Sequence, residues 1–279
     1  MIEGVYVAAV TPFRDDFSID LDAYRAHVAW LAERGVTGIV AFGTNGEGPS
    51  VAAHEKLEVL RALADAPVPV IPTVAEANLP DTLALLAELE DFDAPGVMVL
   101  PPYFFKPASA EGLLAFYEPV VAATRHPVVL YHIPRFSVPI PPEVVSALPV
   151  WGVKDSGEAA DYTPAIVAAG REVLVGTEDD LATRLGRGGS GVVSGLANAA
   201  PELVVSIYEA VRSGDTEAAA ERSARLRTIR DAATGFAARK RLASLRSGND
   251  LGTVRPPLTP VTDDGDLREL AEQIQGVLA

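Results

Sequence analysis

Short runs of apolar, mostly β-branched residues alternate with longer segments of helical period along most of the chain. The runs are almost continuously apolar rather than alternating, which is typical of parallel strands covered on both faces. Each run is followed by apolar residues at intervals of three or four positions, which predicts a helix. Eight strands are predicted: Val5–Val10, Gly38–Phe42, Val68–Thr73, Gly96–Leu100, Val128–Tyr131, Gly152–Lys154, Val173–Gly176 and Gly191–Ser194.

The segments between the strands carry signals for helix ends. In the first, apolar residues recur from Leu21 to Leu31, with Asp20 as the N-cap and Gly35 as the C-terminal stop. Pro80 stands where a first-turn proline is tolerated. Further helices are predicted around Leu57–Ala64 and over Glu111–Ala123, Pro142–Leu148, Tyr162–Ala169, Asp179–Leu185 and Pro201–Val211.

The number of strand–helix pairs indicates the fold. Eight pairs in about 210 residues are what a (β/α)8, or TIM, barrel requires. An open doubly wound sheet usually has about six strands and begins with a glycine-rich dinucleotide turn, and neither feature is present. We therefore expect an α/β protein with a TIM barrel over residues 1–213.

Residues 214–279 exceed what the barrel needs and predict an appended C-terminal helical lobe. Helical patterns cover Ala218–Leu226 and Ile229–Leu245. A proline-rich break follows at Arg255, and a last helix is predicted from Asp266.

Composition narrows the range of functions. The net charge of -15 argues against nucleic acid or an anionic membrane as a partner, because both need basic patches. The absence of cysteine excludes disulfides, thiolate catalysis and cysteine-bound metals. The start of the chain lacks the basic and apolar segments of a secretory signal, and no apolar run approaches about 18 residues. We therefore expect a cytoplasmic protein without a membrane span.

Lys154, one of four lysines, ends an apolar run that is predicted to be a buried strand. Burial removes water from an ammonium group and so penalises its charged form. A neutral amine attacks ketones and forms a Schiff base. Taken alone, a lysine that closes a strand is more often a surface residue, because lysines are rarely buried without a partner. The surrounding residues decide between the two interpretations.

Two further polar features are expected at the same end of the barrel, where the loops that follow parallel strands gather. Tyr131 ends strand five, and adjacent strands lie about 4.8 Å apart, so it can converge with Lys154 on one substrate atom. Strand two runs into a loop that begins at Gly43 and reads GTNGEG, whose backbone N–H groups can bind a substrate carboxylate. The Thr44 hydroxyl is then placed to contact Tyr131, and a phenol beside a cationic imine can act as acid and base.

Each feature alone has a simpler structural explanation. Tyr131 can be a core residue with a satisfied hydroxyl, and the glycine-containing loop can be an ordinary tight turn. Glu47 is interpreted as a capping or structural carboxylate rather than a catalytic acid. His132 adjoins Tyr131 and could reach the site, but four scattered histidines and no cysteine offer no metal-ligand cluster. We therefore expect neither a metal nor a cofactor.

In combination, these features resemble the dihydrodipicolinate synthase / N-acetylneuraminate lyase family of class I aldolases, over essentially the whole chain. The resemblance rests on four motifs in order: residues 9–13 (AVTPF), 43–47 (GTNGE), 131–134 (YHIP) and 152–155 (GVKD). It implies a TIM barrel with a C-terminal helical lobe, assembled as a homotetramer. It also implies a Schiff base between pyruvate and Lys154.

The same resemblance implies roles for other residues near the substrate. Tyr131 takes the place of the acid/base tyrosine. The pair of carboxylate-binding hydroxyl residues falls on Thr44 and Asn45. Gly176 falls at the position after strand seven, and Val193 at the position near the substrate on strand eight.

Three positions depart from the pattern of the synthases. Phe104 stands where they usually carry a second tyrosine, so a hydroxyl of their relay is lost. Phe136 stands where they place an arginine for a second carboxylate, although Arg135 lies one residue earlier and could partly substitute. Asn45 replaces the second loop hydroxyl. These differences count against dihydrodipicolinate synthesis.

Residues 147–155 (ALPVWGVKD) and 254–257 (VRPP) are similar to the 2-keto-3-deoxygluconate aldolase branch. This similarity favours reversible cleavage of a 2-keto-3-deoxy sugar acid to pyruvate and an aldehyde. Lys106 is then a candidate for binding a terminal phosphate or carboxylate, or else a solvated loop lysine. Other outcomes stay open: condensation, dehydration or decarboxylation through the same imine, a non-catalytic barrel that binds a 2-oxo acid, and a metal-dependent aldolase.

Overall fold

The eight apolar runs form a closed barrel in the computed structural model, which describes residues 2–278. The strands are β1 Gly4–Ala8, β2 Gly38–Ala41, β3 Val70–Val74, β4 Val97–Val99, β5 Val128–His132, β6 Gly152–Asp155, β7 Glu172–Val175 and β8 Gly191–Ser194. Each strand pairs in parallel with the next, and β8 closes the barrel against β1. The predicted TIM barrel is confirmed, with strand ends that differ from the prediction by at most two residues.

Each strand is followed by a helix on the outside of the barrel. These helices are α1 Leu21–Ala32, α2 Ala53–Ala62, α3 Leu79–Leu89, α4 Ala110–Ala122, α5 Pro142–Ala147, α6 Tyr162–Ala168, α7 Leu181–Gly186 and α8 Pro201–Ser213. Asp20 caps α1 as predicted, because its carboxylate accepts hydrogen bonds from the backbone of Asp22 and Ala23. Pro80 lies in the first turn of α3, also as predicted.

The core has two parts, because alternate strand residues point to opposite sides of the barrel wall. The larger part lies between the strands and the surrounding helices. The smaller part fills the barrel interior and includes Tyr6, Val40, Ile71, Met98, Val129, Tyr131, Leu174 and Val193. The barrel is therefore packed through its length, and a substrate can enter only at an end.

The tail contains α9 Thr216–Ala232, α10 Phe236–Ser247 and α11 Gly265–Leu278. The predicted break between Leu226 and Ile229 is wrong. Both residues are buried on α9, where a spacing of three places them on one face of one helix. The break comes instead at Gly235, whose φ of +86° suits glycine and precedes α10.

The division of the chain after residue 213 stays a prediction, although Gly214, with a φ of +80°, ends α8 at this point. Among the helices of residues 2–278, none combines the length and the apolar character needed to cross a membrane.

Candidate active site

A cavity of about 310 Å³ opens at the carboxyl ends of the strands. Its walls come from the ends of the strands, from the loops that follow them, and from α9 and α10. A larger cavity of about 450 Å³ lies at the opposite end, around Glu172 and Ser190, but its lining contains no lysine. Eight residues singled out from the sequence line the first cavity: Thr44, Asn45, Tyr131, Arg135, Phe136, Lys154, Gly176 and Val193.

Lys154 reaches this cavity from β6 and is only 2% exposed. It is the register partner of Tyr131 on β5, so both side chains point to the same side of the barrel wall. The Lys154 Nζ atom lies 4.1 Å from the centroid of the Tyr131 ring. The amine is therefore held beside a phenol, in a position where it can attack a carbonyl carbon in the cavity.

The other three lysines have different surroundings. Lys56 and Lys240 are as deeply buried as Lys154, but each forms an ion pair with a glutamate. Lys106 is exposed. Within the described part of the chain, Lys154 is the one buried lysine that forms no ion pair. A buried amine without a carboxylate partner is costly for folding, which favours a chemical reason for its presence.

Tyr131 meets Thr44 as the sequence predicted. The Tyr131 hydroxyl lies 3.0 Å from Thr44 Oγ1, and either oxygen can donate the hydrogen bond. Tyr131 is itself buried. The contact gives the phenol a hydroxyl partner next to Lys154, and such a pair can transfer a proton to or from a bound molecule.

The loop after β2 adopts a strained and closely packed backbone. Phe42 and Glu47 have φ angles of 61° and 54°, a region that costs a side chain other than glycine about 1–3 kcal/mol. A Cβ atom added at Gly46 would lie 2.6 Å from the Ala9 carbonyl oxygen, and one at Gly48 only 1.7 Å from that of Phe42. The surrounding packing therefore fixes this loop in one geometry.

Gly176, Gly43 and Val193, which were singled out from the sequence, differ in their relation to the cavity. A Cβ atom at Gly176 would lie 3.0 Å from Lys154 Cε, so the glycine leaves room for the end of the lysine. Gly43 is buried and does not line the cavity, and its carbonyl accepts a hydrogen bond from the Gly48 N–H at 3.1 Å. Val193 projects into the barrel interior and forms part of the cavity wall.

The two basic residues singled out from the sequence differ in position. Arg135 is exposed at the cavity mouth, with its guanidinium 5.3 Å from the centroid of the Phe136 ring. Lys106 does not line the cavity and lies on the exposed loop after β4, beside Phe105. The structure thus brings Arg135 to the site and leaves Lys106 outside it.

The expectation that His132 could reach the site is wrong. Consecutive strand residues point to opposite sides, so His132 points away from the barrel interior that Tyr131 faces. Its Nδ1 atom accepts a hydrogen bond from the Ile140 N–H at 3.1 Å, its ring stacks on Tyr162, and burial lowers its pKa to about 4. Over residues 2–278, no three His, Cys, Asp or Glu side chains cluster closely enough to hold a metal ion.

Several cavity residues were not singled out from the sequence. Ser156 follows β6 directly and Thr177 is the second residue after β7, so the rule that active sites lie at strand ends could have found them. Glu178 follows in the same loop, and its carboxylate accepts hydrogen bonds from Ser194 Oγ and the Gly195 N–H, each at 2.8 Å. Arg239 comes from α10, and no local sequence pattern predicts that this helix of the tail lies at the cavity.

The whole chain, and not only this site, matches one family of proteins. The model of the dihydrodipicolinate synthetase family matches residues 1–275. The chain belongs to this family. Membership confirms the resemblance inferred from the motifs and the prediction of an aldolase-type lyase.

Three members or neighbours of this family illustrate its range. A 4-hydroxy-tetrahydrodipicolinate synthase of Archaeoglobus fulgidus is 33% identical over 240 residues, covering 83% of this chain and 82% of the relative. A Sulfolobus solfataricus 2-keto-3-deoxygluconate aldolase variant, in complex with L-2-keto, 3-deoxy-galactonate, matches with a TM-score of 0.91 at 28% identity and covers 99% of this chain and 96% of its own. YagE, a prophage protein from E. coli K12 in complex with pyruvate, matches with a TM-score of 0.90 at 26% identity, covering 99% of both chains.

Proposed function

We propose that this member of the dihydrodipicolinate synthetase family cleaves a 2-keto-3-deoxy sugar acid to pyruvate and an aldehyde, through a Schiff base on Lys154. The proposal depends on one observation: a buried amine without an ion pair faces a cavity beside the phenol of Tyr131. The pyruvate bound to YagE and the 2-keto-3-deoxy sugar acid bound to the Sulfolobus aldolase variant support this class of substrate.

The reaction begins when Lys154 Nζ attacks C2 of the 2-oxo acid. The Tyr131 hydroxyl gives up its proton, water is lost, and a protonated imine results. A base removes the proton of the C4 hydroxyl, the C3–C4 bond breaks, and its electron pair moves toward the imine as an enamine. The aldehyde leaves. Protonation of C3 and hydrolysis of the imine then release pyruvate and restore the amine.

The neighbouring residues have separate roles in this sequence. The Tyr131 oxygen acts as the acid and base, and the cationic imine beside it stabilises the phenolate form. Thr44 holds that oxygen through the hydrogen bond of 3.0 Å. The backbone N–H groups of the loop from Gly43 to Asn45 bind the substrate carboxylate. The family resemblance implies the same task for the side chains of Thr44 and Asn45.

Unpartnered polar atoms at the cavity support a hydroxylated substrate. Thr177 Oγ1 and Asn45 Oδ1 are buried and have no hydrogen-bond partner among residues 2–278. Buried polar atoms normally have a partner, so hydroxyl groups of a bound sugar acid are suited to satisfy them. Ser156 and Glu158 add further polar groups to the same wall.

We also expect assembly with copies of the same chain, because the family resemblance implies a homotetramer. Phe104 and Phe105 support such contacts, since they are 78% and 81% exposed and lie side by side on the loop after β4. Large aromatic side chains of this kind are enriched in protein interfaces.

The alternative is condensation of pyruvate with an aldehyde that carries a second carboxylate, as in dihydrodipicolinate synthesis. The identity with the Archaeoglobus synthase favours it. Against it, Phe136 supplies an apolar ring at the cavity mouth, where the synthases place an arginine. Arg135 lies beside that ring, and a second carboxylate would find it, Arg230 and Arg239 among the residues that line the cavity.

A screen for pyruvate release tests the proposal. Purified protein is incubated with 2-keto-3-deoxygluconate, its phosphate, 4-hydroxy-2-oxoglutarate and N-acetylneuraminate, and separately with pyruvate plus aspartate semialdehyde. We expect the highest kcat/KM for 2-keto-3-deoxygluconate or its phosphate, because the cavity offers polar partners for a chain of hydroxyl groups. Faster condensation of pyruvate with the semialdehyde would establish the alternative, and the absence of every reaction would contradict both.

A further inference from the structure

Glu47 belongs to the loop after β2 but does not line the cavity. Its side chain is 2% exposed, and both carboxylate oxygens are occupied. Oε1 accepts a hydrogen bond from Lys240 Nζ at 2.6 Å, and Oε2 accepts one from the Arg255 N–H at 2.9 Å. The Glu47 side chain does not cap the short helical turn that follows it, so of the two expected roles these contacts favour the structural one. The proposed reaction assigns no step to this carboxylate.

Lys240 brings the opposite charge from α10 in the tail. Its side chain is also 2% exposed, and Nζ donates a second hydrogen bond to the Thr253 carbonyl oxygen at 2.6 Å. Burial lowers the pKa of Lys240, and the neighbouring Glu47 carboxylate opposes this effect. The ion pair therefore joins two segments that are 193 residues apart in sequence.

The backbone of Glu47 connects this ion pair to the proposed chemistry. The Glu47 N–H donates to the Thr44 carbonyl oxygen at 3.2 Å, which closes the turn that carries both residues. The Thr44 hydroxyl in turn contacts the Tyr131 hydroxyl at 3.0 Å. A continuous series of contacts thus runs from Lys240 through Glu47 and Thr44 to Tyr131.

A buried ion pair seldom stabilises a fold more than apolar residues of the same volume would. It does fix geometry, because separating the two groups would leave each charge buried without a partner, at a large cost in free energy. We propose that Lys240 and Glu47 are positioning residues: through them, α10 holds the loop from Gly43 to Gly48 in the geometry that binds the substrate carboxylate and places Thr44 against Tyr131. The consequence for pyruvate binding depends on the proposed function, whereas the effect on the loop itself does not.

The test replaces Lys240 by methionine, which keeps most of the volume and removes the charge. Pyruvate adducts are trapped with borohydride and quantified by intact mass over a range of pyruvate concentrations. For K240M we expect the half-saturating pyruvate concentration to rise about tenfold or more, because a displaced loop no longer fits the carboxylate. The amount trapped at saturation should change by less than about threefold, since Lys154 is untouched.

The matched control is R246M, in the same helix. Arg246 is a buried cation that donates to the Ala199 carbonyl oxygen and pairs with Glu202, away from the loop. Its replacement should weaken the attachment of α10 without changing the half-saturating concentration. E47Q is the second test variant and should behave like K240M. If K240M does not fold, the double variant K240M/E47Q removes both charges together and should show the same loss of affinity.

Hydrogen–deuterium exchange of the amides of residues 43–48 provides a readout that needs no reaction. We expect faster exchange in K240M than in both the native protein and R246M. The inference would be overturned if a folded K240M, or the double variant in its place, had the exchange rates and the half-saturating pyruvate concentration of the native protein. It would also be overturned if R246M changed both quantities as much as K240M does. If the native protein forms no adduct with pyruvate, the proposed function fails and the exchange measurement alone decides the role of the ion pair.

Discussion

Replacement of Lys154 by methionine should lower kcat/KM for pyruvate release by about 10⁴-fold or more, because the variant lacks the only group that forms the proposed imine. Methionine matches the buried volume and leaves no cavity. The fold should persist, and the free energy of unfolding should rise by about 1–2 kcal/mol, because an unpaired buried amine is removed. Steady-state kinetics and urea unfolding measure the two effects.

Lys56 provides the matched control for this variant. It is as deeply buried as Lys154, but it pairs with Glu76 and does not line the cavity. K56M should therefore lose stability and keep the ability to form the imine, the reverse of K154M. Turnover of K154M within tenfold of the native rate would contradict the assignment of Lys154 as the nucleophile.

Replacement of Tyr131 by phenylalanine should lower kcat by about 10²–10⁴-fold, because the proposed acid and base is lost while the amine remains. The pyruvate adduct should still form on Lys154, although more slowly. Single-turnover kinetics with borohydride trapping separate the two steps. A large fall in the rate of cleavage together with retained imine formation is the expected signature of a proton-transfer residue.

Tyr162 is the control for the loss of a buried phenol. Its hydroxyl donates to the Ile140 carbonyl oxygen at 2.8 Å, outside the barrel wall and away from the cavity. Y162F should reduce stability by about 1 kcal/mol and leave kcat unchanged. An equal fall in kcat for Y131F and Y162F would mean that Tyr131 acts only through packing.

The barrel could be predicted because its strands are covered on both faces and therefore consist mostly of apolar residues. The last strand, Gly191–Ser194, has the bounds that its composition indicates. The helix bounds of the C-terminal tail are harder to predict, because the spacing of its apolar residues does not show where one helix ends and the next begins. The sequence pattern predicts a helix end between Leu226 and Ile229, whereas both residues lie on the buried face of α9.

The centre of the site could be predicted for a geometric reason. Tyr131 and Lys154 each lie one residue before the end of consecutive strands, and the parallel pairing of these strands makes the two residues register partners. The contributions of α10 could not be predicted in this way. Arg239 and Lys240 meet loops that lie far away in sequence, and only the packed tertiary structure brings them together.

The most direct measurement is the site of attachment of pyruvate. The native protein is treated with pyruvate and borohydride, digested and examined by peptide mass spectrometry. We expect one stable adduct, carried by the peptide that contains Lys154 and absent from K154M. An adduct on Lys56, Lys106 or Lys240 instead, or no adduct on a folded protein that releases pyruvate, would contradict the account.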